Sequence, residues 1–136
     1  MVSVITPRQT FRKSERLCSR KILESLASKG RNIHIPPFRI VWLFSELTKE
    51  VPAQIAFAVP KRNIKNAVER NRIKRLMRES YRKNKSTLFS LIVEQEKRVA
   101  LLYIFTGKEA VSHDETELKT KSILLQLAQD LKKSSR

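Results

Sequence analysis

The sequence is short of the residues that most metal, disulfide and phosphate-loop sites require. A single cysteine, Cys18, cannot form an intrachain disulfide or a multi-cysteine zinc site. The only two glycines, Gly30 and Gly107, are too few for a glycine-rich phosphate loop. The two histidines, His34 and His113, stand in unrelated segments without metal-ligand spacing. We therefore expect neither a metal site nor a catalytic side chain in this protein.

Long apolar runs and a secretion signal are lacking too. No apolar run approaches the roughly 18 residues that cross a bilayer. Residues 1–13 do not combine a basic start with an apolar stretch and a small-residue cleavage site. We predict one cytoplasmic, monomeric domain over residues 1–136, with a flexible N-terminus at 1–13, a flexible tail at 134–136 and no membrane partner.

Acidic residues are scarce, and the positive charge is unevenly placed. The chain has 29 Lys and Arg against 13 Asp and Glu, a formal charge of +16. Residues 61–85 contain eleven basic and two acidic side chains, and residues 8–31 contain eight and two. The remainder has ten basic and nine acidic residues. Because like charges repel, such concentration indicates a polyanionic partner rather than a need for solubility.

Hydrophobic periodicity and breaker residues predict alternating helices and strands. Ser14 is the expected N-cap of the first helix, and Gly30 marks its end. The predicted elements are a helix near 15–29, strands over 38–44 and 53–59, a helix over 67–85, a strand over 99–107 and a helix near 116–133. Residues 86–97 fit either an extension of the helix over 67–85 or a loop.

The strand predicted at 53–59 has two unequal faces. Because side chains alternate along a strand, the two faces are Ile55, Phe57 and Val59 on one side, and Gln54, Ala56 and Ala58 on the other. The second face has small side chains. Such a face suits close packing of a helix or the approach of an extended ligand.

The helix predicted at 67–85 separates apolar side chains from cations. At 100° per residue the apolar arc comprises Ile73, Leu76, Met77, Ser80 and Tyr81. Four cations, Arg70, Lys74, Arg78 and Arg82, follow one another at i, i+4 spacing, which is unfavourable for an isolated helix. An anion along this face would relieve the repulsion, and arginine can place two N–H donors on phosphate oxygens.

The run Ala67–Glu79, AVERNRIKRLMRE, resembles the signature helix of the bacterial ribonuclease P protein component. The resemblance extends over about residues 14 to 131, with its specificity concentrated in this run. It implies an α+β fold, a two-layer sandwich with the order α-β-β-β-α-β-α, related to domain 2 of a ribosomal protein. It also implies a left-handed βαβ crossover, against the usual right-handed rule.

The same resemblance implies a function in tRNA processing. In that family the RNA subunit and its Mg²⁺ ions perform the endonucleolytic cleavage. The protein binds this RNA and the 5′ leader of precursor tRNA. The residues that match RNA-subunit-binding positions are Lys61, Arg62, Arg70, Arg72, Lys74, Arg78 and Arg82. The residues that match leader-cleft positions are Leu23, Ala27, Val41, Ala58, Asn71 and Arg75, with Leu23 and Ala27 standing where the family often has phenylalanine.

Two other functions are compatible with the composition alone. A ribosomal or other structured-RNA-binding protein without an enzyme partner would carry the same charge. A DNA-binding protein that inserts its basic helix into the major groove is a third hypothesis, although the sequence lacks a helix-turn-helix pattern and dimerising heptads. The RNA recovered with the protein would discriminate between the first two.

Overall fold

The computed structural model describes residues 11, 13–45 and 51–134. Most of the N-terminal segment predicted to be flexible, and residues 135–136 of the predicted tail, lie outside the described residues. The helices are α1 (Arg20–Lys29), α2 (Ala67–Asn84), α3 (Ser86–Glu94) and α4 (His113–Ser134), and the strands are β1 (Arg31–Ile35), β2 (Phe38–Phe44), β3 (Ala53–Ala58) and β4 (Val99–Phe105). The α+β class and the predicted helix and strands from residue 38 to residue 85 are confirmed.

The four strands form one mixed sheet in the order β1-β2-β4-β3. The pairs β1–β2 and β2–β4 are antiparallel, whereas β3 and β4 are parallel neighbours. Helices α2 and α3 connect these parallel strands, as a parallel pair requires a crossover. The left hand of this crossover stays a prediction from the resemblance.

The first helix begins later than the sequence indicated. Ser19, not Ser14, is the N-cap of α1, and its hydroxyl accepts a hydrogen bond from the Ile22 amide. Residues Lys13–Glu15 form a short 3-10 turn instead. Leu17 then donates its backbone N–H to the Ile55 carbonyl on β3. A long-range backbone contact therefore takes Leu17 out of the helix that its local spacing favoured.

Three further elements differ from the sequence-based interpretation. Strand β1 was not located, because its five residues include exposed arginine, asparagine and histidine. The ambiguous stretch 86–97 is largely helical as α3 and buries Leu88 and Ile92 in the core. Helix α4 begins at His113 rather than 116, since the Ser112 hydroxyl accepts from the Glu115 amide and caps its first turn.

Each face of the sheet has its own apolar cluster. Helices α2, α3 and α4 cover one face, where the side chains with at most 2% exposure include Phe38, Trp42, Tyr81, Tyr103 and Phe105. Helix α1 packs on the opposite face, and the smaller cluster there centres on Leu26, Val41 and Ala100. The two predicted faces of β3 enter these separate clusters, Ile55 the first and Ala56 the second.

Gly30 ends α1 for a steric reason. Its φ of −66° and ψ of 150° are open to any residue, so backbone freedom does not require glycine. A Cβ at this position would lie 2.3 Å from Val41 Cγ1 and 2.5 Å from the Leu26 carbonyl oxygen. The absent side chain thus lets the end of α1 sit directly on β2.

In the part of the chain that the structure describes, none of the helices is both long and apolar enough to cross a membrane.

Candidate nucleic-acid interface

A basic loop, residues 60–66, lies at one end of the sheet and leads into α2. Parallel strands β3 and β4 both end here, and Asn63 donates a side-chain hydrogen bond to the Phe105 carbonyl at the end of β4. Lys61 and Arg62 are exposed on this loop. Asn66 caps α2 by accepting from the Glu69 amide. The predicted loop cations therefore point into solvent beside the start of the basic helix.

Arg70 braces this loop from the helix. Its guanidinium donates to the carbonyl oxygens of Ile64 and Lys65, at 2.9 and 2.8 Å. These bonds use one end of the guanidinium and satisfy two carbonyls of the loop. Arg70 is half-buried, and it would support an anion site partly by holding the loop in position.

Arg72 and Arg82 are also partly committed within the protein. Arg72 bonds Glu69 Oε1 at 2.9 Å and the Val111 carbonyl at 2.7 Å, which joins α2 to the connection before α4. Arg82 pairs with Glu79 at 3.0 Å. The hydrogen bond from Arg82 lowers the pKa of Glu79, so this carboxylate stays ionised at neutral pH. The predicted row of four unrelieved cations is therefore partly neutralised by the protein itself.

Lys74 and Arg78 project to the β3 edge of the sheet. They border a pocket of about 260 Å³ whose other lining residues are Phe11, Arg16, Leu17, Cys18, Ile55, Ala56 and Phe57. The Arg78 guanidinium lies 5.9 Å from the centre of the Phe57 ring. This pocket, the edge pocket, combines cations from α2 and from the segment before α1 with an aromatic wall. Sequence reasoning missed Arg16, because only tertiary folding brings it beside α2.

The residues predicted to contact a leader occupy three kinds of surface. Asn71 and Arg75 are exposed on α2, and Ala27 is exposed on α1. Leu23 and Ala58 are half-buried in the smaller apolar cluster. Val41 lies beneath the end of α1 and is only 6% exposed. Of the two predicted sheet positions, Ala58 is therefore the more accessible.

A row of four cross-strand neighbours lies on the α1 side of the sheet, at the end that carries the basic loop. Strand pairing aligns Ala58 with Ile104, Ile104 with Arg39, and Arg39 with His34. We call these four residues the floor row. Arg39 was not singled out from the sequence. Its place between Phe38 and Ile40, which both face the buried core, is the alternation that could have marked it as facing the opposite side.

The two histidines and the cysteine do not come together in one site. His34 shares a hydrogen bond with the Thr106 hydroxyl, and His113 lies near Asp114 on the exposed first turn of α4. Cys18 is free and exposed. Across residues 11, 13–45 and 51–134, no three His, Cys, Asp or Glu side chains lie together in a way that could hold a metal ion.

Comparison with known proteins shows the family. The sequence model described as Ribonuclease P matches residues 11–132. The ribonuclease P protein component of Porphyromonas gingivalis is 27% identical over 90% of this chain and 90% of its own length. That of Chlorobium phaeobacteroides is 35% identical over 70% of this chain and 72% of its own length.

Solved structures share the fold. The ribonuclease P protein of Staphylococcus aureus matches with a TM-score of 0.67 at 18% identity, over 85% of this chain and 96% of that one. The protein of Thermotoga maritima matches with a TM-score of 0.59 at 21% identity, over 85% of this chain and 96% of that one.

Proposed function

The chain belongs to the ribonuclease P protein component family, and from this premise we propose that it holds precursor tRNA against the catalytic RNA of ribonuclease P through two distinct surfaces. One surface is the basic loop with the cations of α2 that match RNA-subunit-binding positions. The other is the floor row with the α1 side of the sheet. The observation that supports this division is that both surfaces meet at one end of the sheet, where β3 passes into the loop.

The first surface suits the backbone of a structured RNA. Lys61 and Arg62 are exposed cations, and phosphate contacts of this kind dominate affinity for nucleic acids. Arg70 and Arg72 support the surface from within by bonding loop and connection carbonyls. Binding to the RNA subunit would then depend on the exposed cations directly and on the two bonded arginines indirectly.

The second surface suits a single-stranded segment. The floor of the sheet at Ala58 and Ala56 has small side chains, so a flexible strand can approach the backbone closely. The edge pocket lies beside this floor. Lys74 and Arg78, which match RNA-subunit-binding positions, border it together with the Phe57 ring, and such a combination of cations and an aromatic face binds unpaired nucleotides. Leu23 and Ala27 on α1 would form the opposite wall.

Cleavage in this proposal belongs to the RNA subunit. The Mg²⁺ ions of the reaction would be held mainly by that RNA, and no described side chain of the protein is assigned to them. The protein acts by binding and orienting, which lowers the entropic cost of bringing the scissile bond to the catalytic centre.

Reconstitution tests the proposed function. Precursor tRNA cleavage is measured with the cognate RNA subunit at low Mg²⁺, with and without the protein. We expect strong stimulation with the protein and no cleavage by the protein alone. Failure to stimulate would contradict the proposal, and recovery of ribosomal RNA rather than one catalytic RNA in pull-down sequencing would favour a ribosomal role.

Salt dependence separates direct phosphate contacts from supporting residues. Arg62→Ala should reduce the slope of log affinity for the RNA subunit against log salt by roughly one unit, because one phosphate contact is lost. The unfolding midpoint should not change, since Arg62 is exposed. Arg72→Ala should lower the unfolding midpoint as well, because the Val111 carbonyl loses its partner. Lys132→Glu on α4 is the control surface change, and an unchanged slope in Arg62→Ala would remove that residue from the interface.

A further inference from the structure

The outward side of α4 carries exposed leucines that the proposed function does not use. Leu118 and Leu125 are 63% and 61% exposed, whereas the opposite side of the same helix is buried in the larger apolar cluster. The two leucines are two turns of helix apart, so they lie in one line along its outer surface. One exposed leucine is ordinary, but two in line suit packing against another helix.

A pocket of about 230 Å³ adjoins these leucines on the side of α3. Leu124, Leu125 and Ala128 of α4 form one wall, and Leu88 of α3 lies on the other. The lining is mainly apolar, so it suits an aliphatic side chain better than a charged one. We call the two exposed leucines and this pocket the α4 face.

The charges at the two ends of α4 are opposite in sign. Glu115 lies in the first turn and Lys133 in the last, and both are exposed. They are 18 residues apart in the sequence, which is five full turns, so they share one flank of the helix. This flank is about 60° around the helix from Leu118. Residues that flank an apolar line in this way form ion pairs between packed helices.

An antiparallel second copy of α4 complements both features. The midpoint of the leucine pair and the midpoint of the Glu115–Lys133 pair lie about 4 Å apart along the helix axis, so one twofold axis serves both. That axis brings Leu118 to the pocket beside Leu125 of the second copy. It also brings Glu115 opposite the second copy's Lys133, and the reverse. Opposite ends of the two helix dipoles then face each other.

We propose that two copies of the free protein associate through their α4 faces as an antiparallel pair with twofold symmetry. Each copy supplies both halves of the contact, a leucine for the other copy's pocket and one charge of each sign for its flank. The contact consists of one helix face and its adjoining groove, which is small for a specific interface, so the association is reversible. This pair replaces the monomer predicted from the sequence, since the sequence alone does not show which side of α4 the fold leaves uncovered.

Sedimentation of the full-length free protein over a wide range of concentrations tests this proposal. We expect a monomer–dimer equilibrium for the wild type. Leu118→Gln and Leu125→Gln should each raise the dissociation constant roughly tenfold or more, because symmetry removes the apolar side chain from the contact twice. Both leucines are more than half exposed in the single chain, so the unfolding midpoints should match that of the wild type.

Exchange of the flanking charges tests the antiparallel order. Glu115→Lys and Lys133→Glu should each raise the dissociation constant about threefold at low salt, because like charges then face each other. The double variant Glu115→Lys/Lys133→Glu should return towards the wild-type value. Lys121→Met should lower the dissociation constant, since the Lys121 side chains of the two copies lie near the twofold axis on the other flank. Glu24→Lys on α1, on the opposite side of the sheet, is the control and should have no effect.

Four results would each overturn the proposal. A wild-type protein that stays monomeric up to the highest concentration at which it remains soluble would show that the α4 face does not bind a second copy. Dimers that both leucine variants leave intact would locate the contact elsewhere. Single charge losses that add up in the double variant would exclude the antiparallel order. Weaker binding of the RNA subunit by the leucine variants, with self-association unchanged, would assign the α4 face to RNA.

Discussion

The two faces of the central sheet are formed by the same four strands but differ in how fully their side chains are buried. On the face packed against α2, α3 and α4, each strand contributes a side chain that is less than a tenth exposed. On the α1 face, Ala56, Ala58, Leu102 and Arg39 remain half-buried, because α1 covers only part of the area. The first face concentrates apolar burial, which stabilises the fold. The second leaves small side chains and Arg39 partly accessible.

Two adjacent leucines of β4 provide the strongest test of this contrast. Leu101 is 0% exposed on the covered face, whereas Leu102 is half-buried on the open face. Leu101→Ala should lower the free energy of unfolding by about 4 kcal/mol, since a well-packed core retains the cavity. Leu102→Ala should cost only about 1 kcal/mol, because less apolar surface is lost from burial. Denaturant unfolding measures both, and equal losses would show that the faces do not differ in packing.

A buried ion pair joins the end of α2 to the segment before α1, and its loss should have the next largest effect. Lys85, between α2 and α3, pairs with Glu15 before α1, and their side chains are 4% and 6% exposed. The Lys85 ammonium also lies 5.1 Å from the Phe89 ring centre. Lys85→Met should destabilise the fold by about 3 kcal/mol, because the Glu15 charge stays buried.

The double variant Lys85→Met/Glu15→Gln provides the control for that prediction. It removes both charges, so we expect it to recover much of the stability that Lys85→Met loses. Additive losses in thermal or denaturant unfolding would show that the two side chains act independently.

The close contact at the end of α1 predicts a smaller effect. Gly30→Ala should cost about 2 kcal/mol, because the new Cβ would overlap Val41 Cγ1 and the Leu26 carbonyl. If α1 moves away from β2 to relieve the overlap, affinity for long-leader substrates should change as well. An unfolding midpoint equal to that of the wild type would show that the contact has room to relax.

The smallest expected effect is the loss of folding stability at alkaline pH, which arises from two tyrosines on the covered face. Burial raises the pKa values of Tyr81 and Tyr103 above the ordinary value of 10.0. Both phenols stay neutral in the folded state while the unfolded chain loses their protons. Their contribution to stability is therefore complete below pH 10 and declines as the pH rises further. Tyr103→Phe should reduce this decline in denaturant unfolding from pH 9 to 11, and an unchanged slope would contradict the assignment.

Local sequence patterns were sufficient to predict the positions of those helices and strands that neighbouring residues determine. The β-branched and aromatic run of β2, the alternation in β3 and the helical period of α2 predicted their positions to within a residue. The predicted start of α1 was wrong and the position of β1 was not predicted, because a backbone bond from Leu17 to Ile55 and pairing with β2 decide them. Such contacts join residues far apart in the chain and leave no local period.

For the predicted interface, too, the sequence did not reveal contacts between side chains that are far apart in the chain. The sequence located the cations of α2, but it could not show that Arg72 is bonded to Val111, a residue 39 positions away. It likewise could not indicate that Arg16 joins Lys74 and Arg78 in the edge pocket. A side chain's freedom to bind a ligand depends on what else it contacts, and those partners come from the whole fold.

The sequence by itself determined the family, the α+β class and the concentration of charge in the basic loop and helix, because a short, dense run of residues encodes each of them. Only the tertiary structure decided which cations remain available and which brace the protein. It also placed Arg39 in a row with Ala58, since strand register aligns residues that the sequence keeps 19 positions apart. Packing and register are properties of the folded chain, and they turn a general affinity for polyanions into two particular surfaces.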